Sequence, residues 1–416
     1  MSVSMVDAAR LLSAHDVLRA AHPSARAFWF LDLDMVAARA QRLRSSLSIL
    51  NPRIAYALKA NGLPALARVL RECGLHADAG SLGELLLARE GGFDAAHRTL
   101  SGNGRTPEEA EWAARHGVAA VSADHPAELD LLEQAAASAG TTMHVALRVN
   151  PGIVAGAHPH IETGHRATKF GMSAREALAA WAARARWPHL VLDGLHVHVG
   201  SQVTEPRPMV DAARLALDLA ARAGESGAVV TSLNLGGGFA VDYTGTGEPL
   251  DLPALAAAIA ALPRGPRVQW CFEPGRWLVA NAGVLVSEVL WDKRRSDEAG
   301  ESRFVVLAAG MNDLLRPALY GAHHRVHVLE PRAGAASPAD VVGPVCESAD
   351  RFLAGEPLPP LERGDRVALL DTGAYGSVMS SNYNGRNRLA EVIQVNGELL
   401  LARGPERHEA RGTGVD

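Results

Sequence analysis

Ile54-Ala-Tyr-Ala-Leu-Lys-Ala-Asn61 is a short apolar run that ends in a lysine. Seven comparable runs follow it, at Leu75–Asp78, Arg98–Leu100, Val118–Ser122, His144–Val149, Val191–His198, Ser232–Leu235 and Val268–Phe272, and with Ile54–Leu58 they make eight predicted strands. Ala-rich segments of helical period separate them. Two of these open with a helix start signal, Thr106-Pro-Glu-Glu109 and Ser173-Ala-Arg-Glu176, in which a hydroxyl N-cap stands three residues before a glutamate. Eight strands interleaved with helices favour an α/β chain with a (β/α)8 barrel, expected over residues 25–280, over an open doubly wound sheet.

Past residue 280 the texture changes to short β-like runs, Val284–Leu290, Phe304–Leu307, His324–Val328, Arg366–Leu370 and Glu391–Val395, broken by Gly, Pro and Asn. A β domain is expected over 281–416, joined by residues 1–24 and the flanking segment Phe28–Leu31.

Composition narrows the functional classes. The 416 residues are 48% hydrophobic with a net charge of −5, and they lack the basic stripe that binds nucleic acid or an anionic membrane. The longest apolar stretches, such as Leu252 to Leu262, fall short of the ~20 residues of a membrane span, so no membrane partner is expected. The polar, acidic N-terminus does not read as a signal peptide, which points to a cytoplasmic protein. Cys73, Cys271 and Cys346 are widely separated and suggest neither a disulfide framework nor a metal site. A small-molecule substrate fits this chain best.

Only Lys59, Lys169 and Lys293 among the 41 basic residues are lysine, and arginine cannot become an amine nucleophile. Lys59 ends a barrel strand, and the C-terminal ends of barrel strands face the active site; partial desolvation there would lower its pKa and free it for Schiff-base chemistry. Leu233-Asn-Leu-Gly-Gly-Gly-Phe239 and Phe272-Glu-Pro-Gly-Arg276 end strands seven and eight, where barrels bind phosphate with backbone N–H groups. His196 and His198 share one strand face; with no third ligand or acidic partner beside them, an imidazole packed against a flat cofactor fits better than a metal. A lysine amine, a phosphate cradle, a ring partner and a carboxylate describe a pyridoxal 5′-phosphate (PLP) site.

The chain resembles the alanine-racemase-fold PLP enzymes, and within them the diaminopimelate decarboxylase family, on Tyr56-Ala-Leu-Lys-Ala-Asn61, His198-Val-Gly-Ser-Gln202, Gly236-Gly-Gly238, Glu273-Pro-Gly-Arg276, Arg316-Pro-Ala-Leu-Tyr320, Cys346-Glu-Ser348 and Ser381-Asn-Tyr-Asn384. The resemblance implies that Lys59 joins PLP as a Schiff base, that His198 stacks on its ring, and that Ser201, Gly236, Gly237, Gly238, Gly275, Arg276 and Tyr375 hold its phosphate. It places Glu273 at the pyridine nitrogen, where a carboxylate keeps the ring protonated and a strong electron sink; racemases of this fold place an arginine there. It makes Cys346 the proton donor to the carbon that has lost CO2, reaching the site of a partner subunit in an obligate homodimer.

Substrate binding falls to Arg276, Tyr375, Arg316, Tyr320 and Glu347, with Arg316 and Tyr320 on the distal carboxylate and Glu347 on the distal ammonium of meso-diaminopimelate. The implied reaction yields L-lysine and CO2. Departures from the family pattern at Ser101, Trp277, Ala349 and Gly385-Arg-Asn387 leave open a paralogue acting on another amino acid, free or carrier-bound. A PLP-binding protein without turnover would have no use for the substrate clamp.

Overall fold

The computed structural model describes residues 7–153, 169–263, 268–297 and 300–407; the first six residues of the N-terminal stretch lie outside them. The chain forms two compact units, a β unit of Met1–Val36, Asp242–Gly247 and Val279–Asp416, and a barrel unit of Ala37–Val241 and Glu248–Leu278.

Strand β1 (Ala27–Asp32) belongs to the β unit, and the eight parallel strands that follow close the barrel. These are β2 (Arg53–Ala57), β3 (His76–Ala79), β4 (Arg98–Leu100), β5 (Ala120–Ala123), β6 (Met143–Val149), β7 (Leu190–Val197), β8 (Ser232–Asn234) and β9 (Gln269–Phe272). β9 returns to β2 through Arg53↔Cys271 and Ile54↔Phe272. Each observed bound lies within two residues of the expected one, because strands buried on both faces read as continuous apolar runs. Both capping boxes form, Thr106 with Glu109 and Ser173 with Glu176, so each helix start is fixed by its own sequence.

The β unit adds β10 (Gly283–Asp297), β11 (Gly300–Leu307), β12 (Val326–Val328), β13 (Ser337–Val342), β14 (Arg351–Leu358), β15 (Arg366–Leu369), β16 (Ala390–Val395) and β17 (Glu398–Arg403). The strand order is β14-β13-β11-β10-β1-β16-β17, with β15 pairing to β10 and β12. β1 runs antiparallel to β10 and parallel to β16. All six of its residues are buried because it has a core on each face. Ala27 and Trp29 pack with Leu285, Val289 and Leu369 on one side. Phe28 and Phe30 pack on the other with Val284, Val286 and the Leu11 and Leu18 side chains of α1 (Ala8–Ala21). β1 thus lies within the β unit, whose boundary with the barrel unit falls at 36/37.

β13, β14 and β17 were not legible as strands. Pro338 and Pro357 face each other across β13 and β14, and the organising contact is polar. Arg303, its side chain 4% exposed, makes a bidentate pair with Asp292 and donates to the Ser337, Leu358 and Pro359 carbonyls at 2.6–3.2 Å. One guanidinium thus ties the β10–β11 hairpin to both proline-bearing strands. Arg303→Ala would strand a largely buried carboxylate and three carbonyls, so we expect urea unfolding to report a loss of about 3–5 kcal/mol; a change below about 0.5 kcal/mol would mean that water replaces the guanidinium.

Candidate active site

Candidate side chains of the barrel unit gather where the strands end. β2 stops at Ala57, and the 3-10 turn Leu58–Ala60 carries Lys59. Ala57 N donates to the Pro274 carbonyl at 3.2 Å, which lays the Glu273-Pro-Gly-Arg276 turn against this one. Gly275 is required there, since a Cβ would sit 2.9 Å from that of Ala60. Lys59 is exposed in this turn. Its charge acts on Asp78, Glu273, His196 and His198 around it.

The three-glycine segment after β8 is shaped by close approach. A side chain on Gly236 would collide with the His198 ring, one on Gly237 with the Glu273 carbonyl, and one on Gly238 with the Gly200 carbonyl. Gly236 and Gly238 have φ of +66° and +90°, in the region that only glycine enters freely. Val203 N donates to the Gly238 carbonyl at 2.8 Å, so the Ser201 loop and the glycine segment form one surface. Arg276 Nη2 completes it by donating to Ser201 Oγ at 3.2 Å.

Glu273 is nearly buried, with 10% of its side chain exposed. Burial raises its pKa, opposed by the Asn234 hydrogen bond and by the positive charges of Lys59 and Arg148. Asn234 donates to Glu273 Oε1 at 2.5 Å while its own oxygen accepts from Gly236 N at 2.8 Å. His196 and His198 are held far below the ordinary histidine range, chiefly by burial, so both rings are neutral at physiological pH. The expectation that this pair lacks an acidic partner is corrected here, because His196 Nε2 lies 3.4 Å from Glu273 Oε2 and its Nδ1 2.8 Å from Ser122 Oγ. Barrel closure brings β7 and β9 onto the same end, which no local spacing reveals.

Two further groups were missed in the sequence. Asp78 ends β3, buried, with its pKa raised by burial and then by the charge of Glu273; Ser101 Oγ donates to it at 2.5 Å. Arg148 ends β6, paired with Asp124 at 3.1 Å and lying over the Phe170 ring at 4.7 Å. The available signal was a charged residue at the C-terminal end of an apolar barrel strand, the same signal that singled out Lys59.

The β unit carries the remaining candidates. Arg316 opens the short helix Arg316–Tyr320 and is 6% exposed. Its Nη1 donates to His324 Nε2 at 2.9 Å, and His324 Nδ1 faces the Leu370 carbonyl at 2.9 Å, which fixes the imidazole as the Nδ1–H tautomer. The guanidinium lies 5.0 Å from the Tyr243 ring centre. Tyr320 is half-buried at the end of the same helix. Cys346 is exposed, as is Glu347, whose carboxylate accepts from Ser348 N at 2.9 Å. Tyr375 has φ +57°, a conformation rare for an aromatic residue. Among the described residues no group of three or more His, Cys, Asp or Glu side chains is arranged to hold a metal.

Residues 33–280 match the family described as "Pyridoxal-dependent decarboxylase, pyridoxal binding domain". The chain is 39% identical over 369 residues to the diaminopimelate decarboxylase of Neisseria meningitidis serogroup A, covering 89% of each chain. It belongs to the diaminopimelate decarboxylase family. The Pseudomonas aeruginosa family member is likewise 39% identical, over 86% of this chain and 83% of its own. A crystal structure of the Helicobacter pylori member complexed with L-lysine matches with a TM-score of 0.87 at 34% identity, over 92% of this chain and 95% of that one.

Pyridoxal phosphate is the cofactor of this decarboxylase family, and the residues present fit it. The glycine surface with Ser201 and Arg276 suits a phosphate, the His198 Nδ1 is buried without a hydrogen-bond partner on a ring suited to stacking, and Glu273 suits a protonated pyridine nitrogen. We expect Gly237→Ala to weaken PLP binding about tenfold or more in an absorbance titration of the apoprotein, with the circular dichroism unchanged. Unaltered affinity would show that the glycine surface is not the phosphate site.

Proposed function

We propose that this chain decarboxylates meso-2,6-diaminopimelate to L-lysine and CO2, the last step of lysine biosynthesis. The observation that carries the substrate is the buried, oriented Arg316, on the same unit as the exposed acid Glu347. A distal carboxylate needs a cation and a distal ammonium needs an anion, whereas ornithine presents only the ammonium.

Bound PLP supplies the electron sink for the pair left on Cα when CO2 departs. Lys59 holds the cofactor through its Nζ, His198 packs on the ring, and Ser201, Gly236, Gly237, Gly238, Gly275, Arg276 and Tyr375 bind the phosphate. Glu273 keeps a proton on the pyridine nitrogen as long as it stays anionic itself. Asn234, Lys59 and Arg148 favour that state against the burial that raises its pKa, and the neighbouring Asp78 is raised to about 7 by burial and then by the Glu273 charge. Cys346 Sγ returns a proton to Cα. Arg316 and Tyr320 hold the distal carboxylate, Glu347 the distal ammonium, and Arg276 and Tyr375 also bind substrate.

CO2 release from diaminopimelate, lysine and ornithine tests this assignment. Arg316→Ala should lose roughly 2–5 kcal/mol of transition-state stabilisation with diaminopimelate and far less with lysine or ornithine, which lack a distal carboxylate. Equal losses on all three would assign Arg316 to the fold, and a wild-type preference for ornithine would overturn the substrate.

We further propose a cytoplasmic homodimer whose Cys346 and Glu347 complete the barrel of the second copy. The exposure of that thiol on the β unit supports the dimer, and three free cysteines suit a reducing compartment. Among the described residues no helix is long and apolar enough to cross a membrane. Lys59→Ala and Cys346→Ala should each be nearly inactive, and mixing them should restore up to about a quarter of wild-type sites through random heterodimers. No recovery after demonstrated subunit exchange would place Cys346 in its own subunit's site or outside the reaction.

A further inference from the structure

Gly343-Pro-Val-Cys-Glu-Ser-Ala-Asp350 joins β13 to β14 and exposes four consecutive residues, Cys346 to Ala349. An exposed turn of this kind retains conformational freedom unless something beneath it fixes its path. Asp350 lies beneath it, 4% exposed. Each carboxylate oxygen holds one main-chain donor: Oδ2 accepts from Val345 N at 2.7 Å, and Oδ1 accepts from Met311 N at 2.7 Å. Val345 immediately precedes Cys346. Met311 belongs to a tight turn, closed by Gly310 N donating to Asp313 Oδ2 at 2.9 Å, that runs directly into Arg316.

The main chain reinforces the clasp, with Gly343 N donating to the Asp350 carbonyl at 3.0 Å and Asp350 N to that of Glu347 at 3.1 Å. Gly343 is where the backbone approaches closest. A Cβ there would collide with Asp350 Oδ1, Oδ2 and Cγ, its three nearest neighbours.

We propose that Asp350 is a positioning residue whose buried carboxylate fixes the turn bearing Cys346 and Glu347 and fastens it to the segment leading into Arg316. Its catalytic consequence rests on the roles proposed above for those three side chains; the fastening itself does not. A carboxylate is required because both oxygens must accept. An amide offers one acceptor and would turn its NH2 toward the other backbone N–H. A donor or clamp displaced by about 1 Å loses much of its effect on rate, so the loss should appear in kcat.

The test is a mutant cycle in the PLP-loaded protein: Gly343→Ala, Asp350→Ala and the double variant, with Asp350→Asn beside them. Two quantities are read, kcat with diaminopimelate and the rate of Cys346 alkylation by iodoacetamide, corrected with Cys346→Ala for Cys73 and Cys271. Asp350→Ala and Asp350→Asn should each lower kcat about tenfold or more and change the alkylation rate about fivefold, with PLP absorbance and affinity unaltered. Gly343→Ala should behave similarly alone, yet add less than about twofold to Asp350→Ala, because the carboxylate its methyl group would meet is gone. If Asp350→Ala does not accumulate as folded protein, Asp350→Asn carries both readouts. Additive effects, or an alkylation rate untouched by either Asp350 variant, would overturn the proposal. Full activity in Cys346→Ala would instead remove that thiol from the reaction, and the alkylation cycle would still decide the positioning role.

Discussion

Taking the Glu273 carboxylate out of water at the end of β9 is the constraint that orders the barrel end. Burial alone would neutralise the group, and an anion survives there only where neighbours offset the desolvation. Asn234 provides the closest compensation, and it also anchors Gly236 N, so the carboxylate and the glycine surface are one hydrogen-bonded piece. His196, seated on Ser122, faces the second oxygen, and Lys59 and Arg148 supply positive potential. Asp78 lies in the same field, and its pKa is likewise raised, by burial and then by the Glu273 charge.

The β unit solves a different problem, the orientation of a buried cation. Arg316 is held by a histidine of fixed tautomer and by the Tyr243 ring, and a guanidinium seated in this way meets a carboxylate with little further loss of side-chain freedom. Departures from the family pattern have local accounts. Trp277 is buried under the Arg39 guanidinium, 4.2 Å from its ring centre, while Arg39 Nε donates to the Trp277 carbonyl at 2.7 Å. Ser101 takes up Asp78, and Ala349 sits exposed in the turn above Asp350.

Sequence alone disclosed what is encoded locally. The barrel strands are continuous apolar runs, the helix starts carry their caps, and Lys59 stands out in a chain that avoids lysine. Relations created only by closure of the barrel or by a buried polar contact stayed hidden. His196 meets Glu273 across two strands far apart in sequence, and β13 and β14 are joined by Arg303 where proline breaks the expected alternation. Asp78 reads as an ordinary strand residue until burial and its neighbours give it an unusual proton affinity.

β1 bears on how the chain is made. Its register partners Phe28↔Ala390 and Trp29↔Glu391 lie in β16 and leave a ribosome near the end of synthesis, although β1 itself is among the first strands made. The apolar run Ala27-Phe-Trp-Phe-Leu31 must therefore wait, unpaired on that edge, through synthesis of the entire barrel, which has all its own strands in hand much earlier. Long-range pairing of this kind is slow and leaves a sticky strand accessible in the meantime. The nascent β unit, not the barrel, is thus the part of the chain whose sheet is completed last.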